Sequence, residues 1–98
     1  MNNQYLELKV ITPQKLIAES RVDLVYLPTV DGIVGILPGH VNLVVALGEG
    51  EIVWLLPERE EKLPIRGGWA EIKAKRVIVF TQLGETTQAS QPQNNESG

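Results

Sequence analysis

The sequence contains no cysteine and only one histidine, His40. Without thiolates, neither a disulfide framework nor a cysteine-ligated metal site can form. A zinc site would need carboxylates for all its other ligands. A serine hydrolase would need Ser20 or Ser90 to reach His40 without a nucleophile-elbow motif. Metal binding and nucleophilic catalysis are therefore the weakest interpretations of this chain.

The sequence also lacks a strong excess of charge of one sign and lacks long apolar runs. Its formal net charge is -3, and its nine basic residues are scattered along the chain. We expect no nucleic-acid partner, because nucleic-acid binding needs a concentrated basic surface. The longest apolar runs, such as residues 52–56, are far shorter than the roughly 18 residues of a membrane span. The polar start at residues 1–4 differs from a signal peptide, so we expect a cytosolic chain that meets a membrane only through partners.

What is present fits one small globular domain. The chain has 98 residues, of which 43% are hydrophobic and 21% charged. A chain of this length buries only about two-thirds of its unfolded surface, so its core must be compact. We expect one domain at residues 1–85, followed by a disordered polar tail at residues 86–98. In that tail Ala89 is the only apolar side chain available to offset the cost of ordering.

Short alternating segments predict an all-β fold. In the first of them Leu6, Leu8 and Val10 share one face of a strand. In the third, Val22, Leu24 and Tyr26 are expected to share an apolar face. No helical periodicity of any length precedes Leu83. Turn-delimited strands at this spacing are typical of a β-sandwich or flattened barrel of two packed sheets, and the predicted strands are residues 5–11, 15–18, 21–27, 33–37, 41–47, 51–56, 62–66, 69–73 and 77–81.

Residues 29–40 form the most informative stretch. Asp31 and Gly32 predict a hairpin turn with positive φ, Gly35 allows close backbone approach, and Pro38-Gly39 predicts a second tight turn that presents His40. Two loops of a sandwich would look the same whatever the function. The spacing of Gly32 and Gly35 also matches the clamp of a KH domain, but the flanking helices and basic residues of that domain are missing.

Two other stretches have structural interpretations. The charged run at residues 57–62 is typical of a solvated hairpin tip, and nothing in it indicates burial of a catalytic carboxylate. The glycine pair at residues 67–68 lacks the Lys-Ser/Thr of a phosphate-binding loop. It therefore predicts a bulge or a corner.

Three predicted strands are apolar on both faces, namely residues 24–27, 43–47 and 52–56. Ile52, Trp54 and Leu56 point one way, whereas Val53 and Leu55 point the other. A strand in a two-layer sandwich has only one inner face, so the second apolar face needs a cover. Either a partner covers it, in an interface of roughly 800 Å² per partner, or the strands curl into a closed barrel end.

Four motifs occur in order along the chain, namely Val10-Ile-Thr-Pro13, Val30-Asp-Gly32, Gly35-Ile-Leu-Pro-Gly-His40 and Arg66-Gly-Gly-Trp-Ala-Glu71. The specific element is the Gly-Ile-x-Pro-Gly-His segment followed later by Gly-Gly. With this order and similar spacing, residues 4–85 resemble the epsilon subunit of F-type ATP synthases.

The resemblance implies a ten-stranded sandwich at the foot of the rotor's central stalk, where it clamps the gamma subunit to the c-ring and couples ion-driven rotation to ATP synthesis. The turn at Asp31, Gly32 and Ile33 would face the c-ring, and Thr12 and His40 would lie on the gamma side. The resemblance implies no catalytic, cofactor or metal site. It also implies a peripheral location on the cytoplasmic face of the bacterial inner membrane, attached only through the ring.

The sequence departs from the family pattern after residue 85. Family members commonly continue into an alanine-rich helical hairpin that inhibits ATP hydrolysis, and here only the polar residues 86–98 follow. Two other hypotheses remain open. One is a free-standing sandwich adaptor for an unrelated partner, and the other is an enzyme that pairs His40 with a nearby carboxylate.

Overall fold

The chain folds as two packed β-sheets. The computed structural model describes residues 4–39 and 42–84, and within these residues every regular element is a strand. The all-β prediction is confirmed. The described strands number nine, as the alternation predicts, and not the ten that the resemblance implies. The tail at residues 86–98 lies outside the described residues. The strands are β1 (Leu6–Ile11), β2 (Leu16–Val22), β3 (Leu24–Thr29), β4 (Gly32–Ile36), β5 (Leu43–Ala46), β6 (Glu49–Leu55), β7 (Glu60–Arg66), β8 (Trp69–Lys73) and β9 (Arg76–Phe80).

The strand order brings distant parts of the sequence together. One sheet has five strands in the order β2-β1-β9-β8-β5, and the other has four in the order β4-β3-β6-β7. All neighbouring strands are antiparallel except the first and the last, β1 and β9, which run parallel and place Ile11 beside Phe80. That parallel pair ties the beginning of the domain to its end.

The core lies between the sheets and follows the alternation of each strand. Leu6, Leu8 and Val10 of β1 are fully buried, and they face Ile52 and Trp54 of the four-stranded sheet within one apolar cluster. Burial of each such side chain contributes about 1.5–3 kcal/mol. The remaining members of the cluster are Val22, Val25, Leu27, Ile36, Leu47, Ile65, Ala70, Ile72, Val77 and Val79.

The expected face of the third strand is wrong by one residue. β3 buries Val25 and Leu27, whereas Tyr26 is exposed on the outer side. The reason is Asp23, which interrupts the extended chain between β2 and β3 and donates its backbone N–H to the Leu55 carbonyl at 2.9 Å. A single residue outside the ladder reverses the facing of every side chain that follows.

The two sheets join at one end of the sandwich, which we term the corner end. There Leu47 bridges to Thr29, and Leu83 bridges to Ile65. The Gly67 N–H donates to the Gly48 carbonyl at 3.0 Å. The sandwich is therefore closed at this end. Closure explains why Leu47, in one of the strands predicted to be apolar on both faces, is buried without a partner protein.

In residues 4–39 and 42–84, no helix is long and apolar enough to cross a membrane.

Candidate docking surfaces

The β3–β4 turn projects from the corner end. Thr29 shapes it, since its hydroxyl accepts the Asp31 backbone N–H at 3.1 Å and donates to the Gly32 carbonyl at 2.6 Å. Gly32 has a φ of 122°, so the positive φ expected of the turn is present. Asp31 is exposed, and Ile33 is 77% exposed. The structure therefore brings together the three residues expected to face a ring, as a protruding tip with one carboxylate and one apolar side chain.

Thr12, unlike the residues of the β3–β4 turn, is buried, and its hydroxyl hydrogen-bonds within its own turn. The side-chain oxygen donates to the Lys15 carbonyl at 3.1 Å and accepts the Lys15 N–H at 3.3 Å. Only 6% of the residue is exposed. Thr12 shapes the β1–β2 turn and offers a partner almost no surface of its own.

Beside Thr12 lies an open apolar cleft of about 510 Å³ on the outer side of the five-stranded sheet. The rings of Trp69 and Phe80 stack across β8 and β9 with their centroids 5.2 Å apart. Trp69 is nevertheless 48% exposed. A half-exposed tryptophan in an apolar cleft is a typical anchor for a protein partner. The lining residues are Ile11, Thr12, Pro13, Arg66, Gly68, Trp69, Phe80, Thr81 and Gln82.

Sequence reasoning placed Trp69 and Phe80 on separate strands and missed this cleft. The alternation of inward and outward side chains along each strand could have revealed it. Trp69 alternates with the buried Ala70, and Phe80 alternates with the buried Val79, so both rings had to lie on the outer face.

His40 lies outside the described residues, but its neighbours in the chain are placed. The Gly39 N–H donates to the Ala74 carbonyl at 2.6 Å, in the turn between β8 and β9. Asn42 lines a recess with Lys73 and Lys75 at the same end. Gly39 and Asn42 therefore lie at the far end of the five-stranded sheet, and Thr12 lies at the corner end together with the β3–β4 turn.

The outer face of the four-stranded sheet carries a second apolar surface. Tyr26 and Ile33 are exposed, Val53 and Leu55 are half-buried, and Leu37 follows at the end of β4. The register places Tyr26 between Gly35 and Val53. The prediction of strands that are apolar on both faces is confirmed for β3 and β6.

The charged groups on the described surface form weak pairs. Arg59 and Glu61 form the shortest, at 2.6 Å on the β6–β7 hairpin, where the Arg59 side chain is largely exposed and the Glu61 side chain is partly exposed. Pairs of this kind contribute about 0–1 kcal/mol. No group of three or more potential metal ligands occurs in the part of the chain that the structure describes.

Comparison with known proteins agrees with this picture. Residues 5–86 match the family model described as ATP synthase, Delta/Epsilon chain, beta-sandwich domain. The chain is similar to the ATP synthase epsilon chain of Carboxydothermus hydrogenoformans, with 35% identity over 82% of this chain and 60% of the relative. It is also similar to the ATP synthase epsilon chain of Lawsonia intracellularis, with 38% identity over 84% of this chain and 62% of the relative. The chain thus spans about three-fifths of the length of these relatives.

Two solved structures share the fold. A chain in the cryo-EM structure of the Euglena gracilis mitochondrial ATP synthase, comprising OSCP, F1 and c-ring, superposes with a TM-score of 0.74 and 22% identity over 82% of this chain and 53% of that chain. A chain from the Tetrahymena thermophila mitochondrial ATP synthase central stalk and c-ring superposes with a TM-score of 0.69 and 16% identity, over 93% of this chain and 75% of that chain. At these identities the likeness concerns the fold.

Proposed function

Because the chain belongs to the ATP synthase delta/epsilon chain family, whose β-sandwich domain matches residues 5–86, we propose that it is a non-catalytic subunit of the central stalk. It clamps the gamma subunit to the c-ring and couples ion-driven rotation to ATP synthesis. The observation that carries this proposal is that two exposed features outside the core could each take a different partner. One is the protruding β3–β4 turn, and the other is the apolar cleft at Trp69.

The gamma subunit binds along the outer face of the five-stranded sheet. The turn that Thr12 shapes lies at one end of that face, and Gly39, next to His40 in the chain, lies at the other, so a partner that reaches both ends must follow the length of the sheet. Trp69 and Phe80 lie on this route, as does Val44, which is 66% exposed. Thr12 acts by shaping the turn at the cleft, whereas the aromatic pair supplies the contact area.

The c-ring is contacted by the β3–β4 turn, through Asp31, Gly32 and Ile33. The turn protrudes beyond the core, and Thr29 holds its backbone through two hydrogen bonds. A fixed, protruding tip can fit between the loops of a ring without exposing the core. The subunit is then peripheral to the cytoplasmic face of the bacterial inner membrane and attached only through the ring.

Torque passes through the sandwich as through a rigid body. The parallel pair of β1 and β9 and the bridges at the corner end link the cleft to the turn by continuous backbone hydrogen bonding. Ladders of this kind resist shear, because displacement must break several hydrogen bonds together. The subunit performs no chemical step in this role, and therefore needs no cofactor.

The test is direct binding of the full chain to the isolated gamma subunit. The unmodified chain should bind, and Trp69→Lys should weaken binding by at least about tenfold, since buried tryptophan anchors contribute about 2 kcal/mol or more. The matched control is Tyr26→Lys, which introduces the same charge on the outer face of the other sheet and should bind as the unmodified chain does. Absence of gamma binding by the unmodified chain would favour an adaptor for an unrelated partner.

A further inference from the structure

The four outermost strands of the two sheets differ in how well they are protected against pairing with another chain. β7 contains Pro64, and its Arg66 N–H and Pro64 carbonyl bond to Gln82 and Gly84. β2 carries exposed Glu19 and Arg21, and β5 has only four residues. β4 contains neither a charged residue nor a proline. β5 also lacks charge and proline, but its Ala46 carbonyl accepts the Val30 N–H at 3.2 Å. β4 is therefore the described edge strand with the least protection against edge pairing.

The backbone of β4 presents hydrogen-bonding groups to its free side. The Pro28 carbonyl accepts the Gly48 N–H at 2.8 Å, so this carbonyl points away from β4. Backbone groups alternate along a strand, so it is Leu27 and Thr29 that bond to β4, opposite Val34 and Gly32. The N–H and C=O groups of Ile33 and Gly35 consequently point outward. In the described part of the chain, no turn or loop bonds to them.

This edge is complementary to itself. Ile33, Gly35 and Leu37 recur at alternate positions, so an antiparallel copy related by a two-fold axis at Gly35 places Ile33 opposite Leu37 of the second copy. Ile33 is 77% exposed and Leu37 is 58% exposed, and their pairing lets these two apolar side chains bury part of their surface against each other. The facing pairs exchange N–H···O=C bonds, as in an ordinary antiparallel ladder. A two-fold contact of this kind uses the same patch on both copies and closes.

We propose that a second copy of this chain adds antiparallel to β4 and extends the four-stranded sheet into one continuous sheet of eight strands. The outer face of that sheet unites the apolar surfaces of the two copies, with Tyr26 of each copy beside the new strand pair and Val53 one strand further away. On the proposed function, Ile33 also contacts the c-ring, so the paired copies are a form of the free chain that must separate before the ring is bound.

The experiment measures association of the purified full chain alone, so its outcome does not depend on gamma or the ring. Sedimentation equilibrium over a wide concentration range should show a monomer–dimer equilibrium. Amide hydrogen exchange should show protection at Ile33 and Gly35 that increases with concentration. The Val34 amide, which faces β3, should be protected at every concentration. This pattern distinguishes strand pairing from association through an apolar face.

A pair of matched variants completes the test. Ile33→Lys should raise the dimer dissociation constant at least about tenfold, because lysine on an edge strand opposes pairing. Val44→Lys places the same charge at a similarly exposed apolar position on β5 of the other sheet and should leave the constant unchanged. The proposal would be overturned by a monomer at all concentrations, by a dimer without protection at Ile33 and Gly35, or by dissociation with Val44→Lys instead of Ile33→Lys.

Discussion

Gly68 lies so close to the backbone carbonyl of Phe80 that a Cβ at position 68 would overlap that oxygen. Its φ is 101°, a region that favours glycine. The contact sets the corner between β7 and β8 and leads directly into Trp69, which stacks on the Phe80 ring. The docking cleft therefore depends on a residue that has no side chain.

Gly68→Ala should destabilise the fold strongly. Backbone strain at positive φ costs about 1–3 kcal/mol, and displacement of the Phe80 carbonyl adds to it. We expect a loss of at least about 3 kcal/mol in urea denaturation. Gly39→Ala is the control, because Gly39 has a φ of 90° but, apart from its chain neighbours, no atom within 4 Å of the point that an alanine Cβ would occupy. Equal losses for the two variants would show that strain alone, without the overlap, sets the requirement for glycine.

Trp54→Glu should unfold the domain, whereas Val53→Glu should hardly change its stability, although the two residues are adjacent. Trp54 is buried in the core, so a carboxylate there lacks a partner and the large apolar contact is lost, at a cost of at least about 3–5 kcal/mol. We expect the variant to be unfolded by far-UV circular dichroism. Val53 lies on the outer face opposite Lys62, where a glutamate should change stability by less than about 1 kcal/mol. An unfolded Val53→Glu variant would contradict this assignment of faces.

The strands were predictable because alternation is a local property. Leu6, Leu8 and Val10 show their common face without knowledge of any partner strand. The same reasoning failed at β3, because no feature of the sequence shows that Asp23 interrupts the alternation. The predicted strand, residues 21–27, ran through Asp23 without a break and therefore placed Tyr26 on the wrong face.

The candidate surfaces were predictable only in part. The β3–β4 turn was predictable, because Asp31-Gly32 is a local turn signal. The cleft was not predictable from the sequence. It requires Ile11 to lie beside Phe80, and only the parallel pairing of the first and last strands brings these residues together. The buried hydroxyl of Thr12 was not predictable either, because its partner Lys15 is set by the turn geometry.

Thr81→Val should lower stability although it preserves shape. The Thr81 hydroxyl is buried and donates to the Gly67 carbonyl at 2.5 Å, across the corner. Removing the donor leaves that carbonyl without this bond, which costs about 1–3 kcal/mol. Thr81→Ser keeps the hydroxyl and should retain most of the stability in thermal unfolding. The interpretation fails if Thr81→Val melts at the same temperature as the unmodified chain.

Asp31→Lys should weaken attachment to the c-ring without altering the fold. The Asp31 side chain is exposed, and the turn is held by backbone groups that bond to the Thr29 hydroxyl, so we expect stability to change by less than about 0.5 kcal/mol. Attachment should weaken because a reversed charge at the protruding tip meets the surface that the proposed function assigns to the ring. Glu58→Lys makes the same change of net charge on the exposed β6–β7 hairpin at the far end, and should bind as the unmodified chain does. Co-sedimentation of the chain and gamma with isolated c-rings measures the difference, with circular dichroism as the check on folding. Equal weakening by both variants would indicate a general effect of charge, and loss of folding with undiminished attachment would remove the turn from the contact.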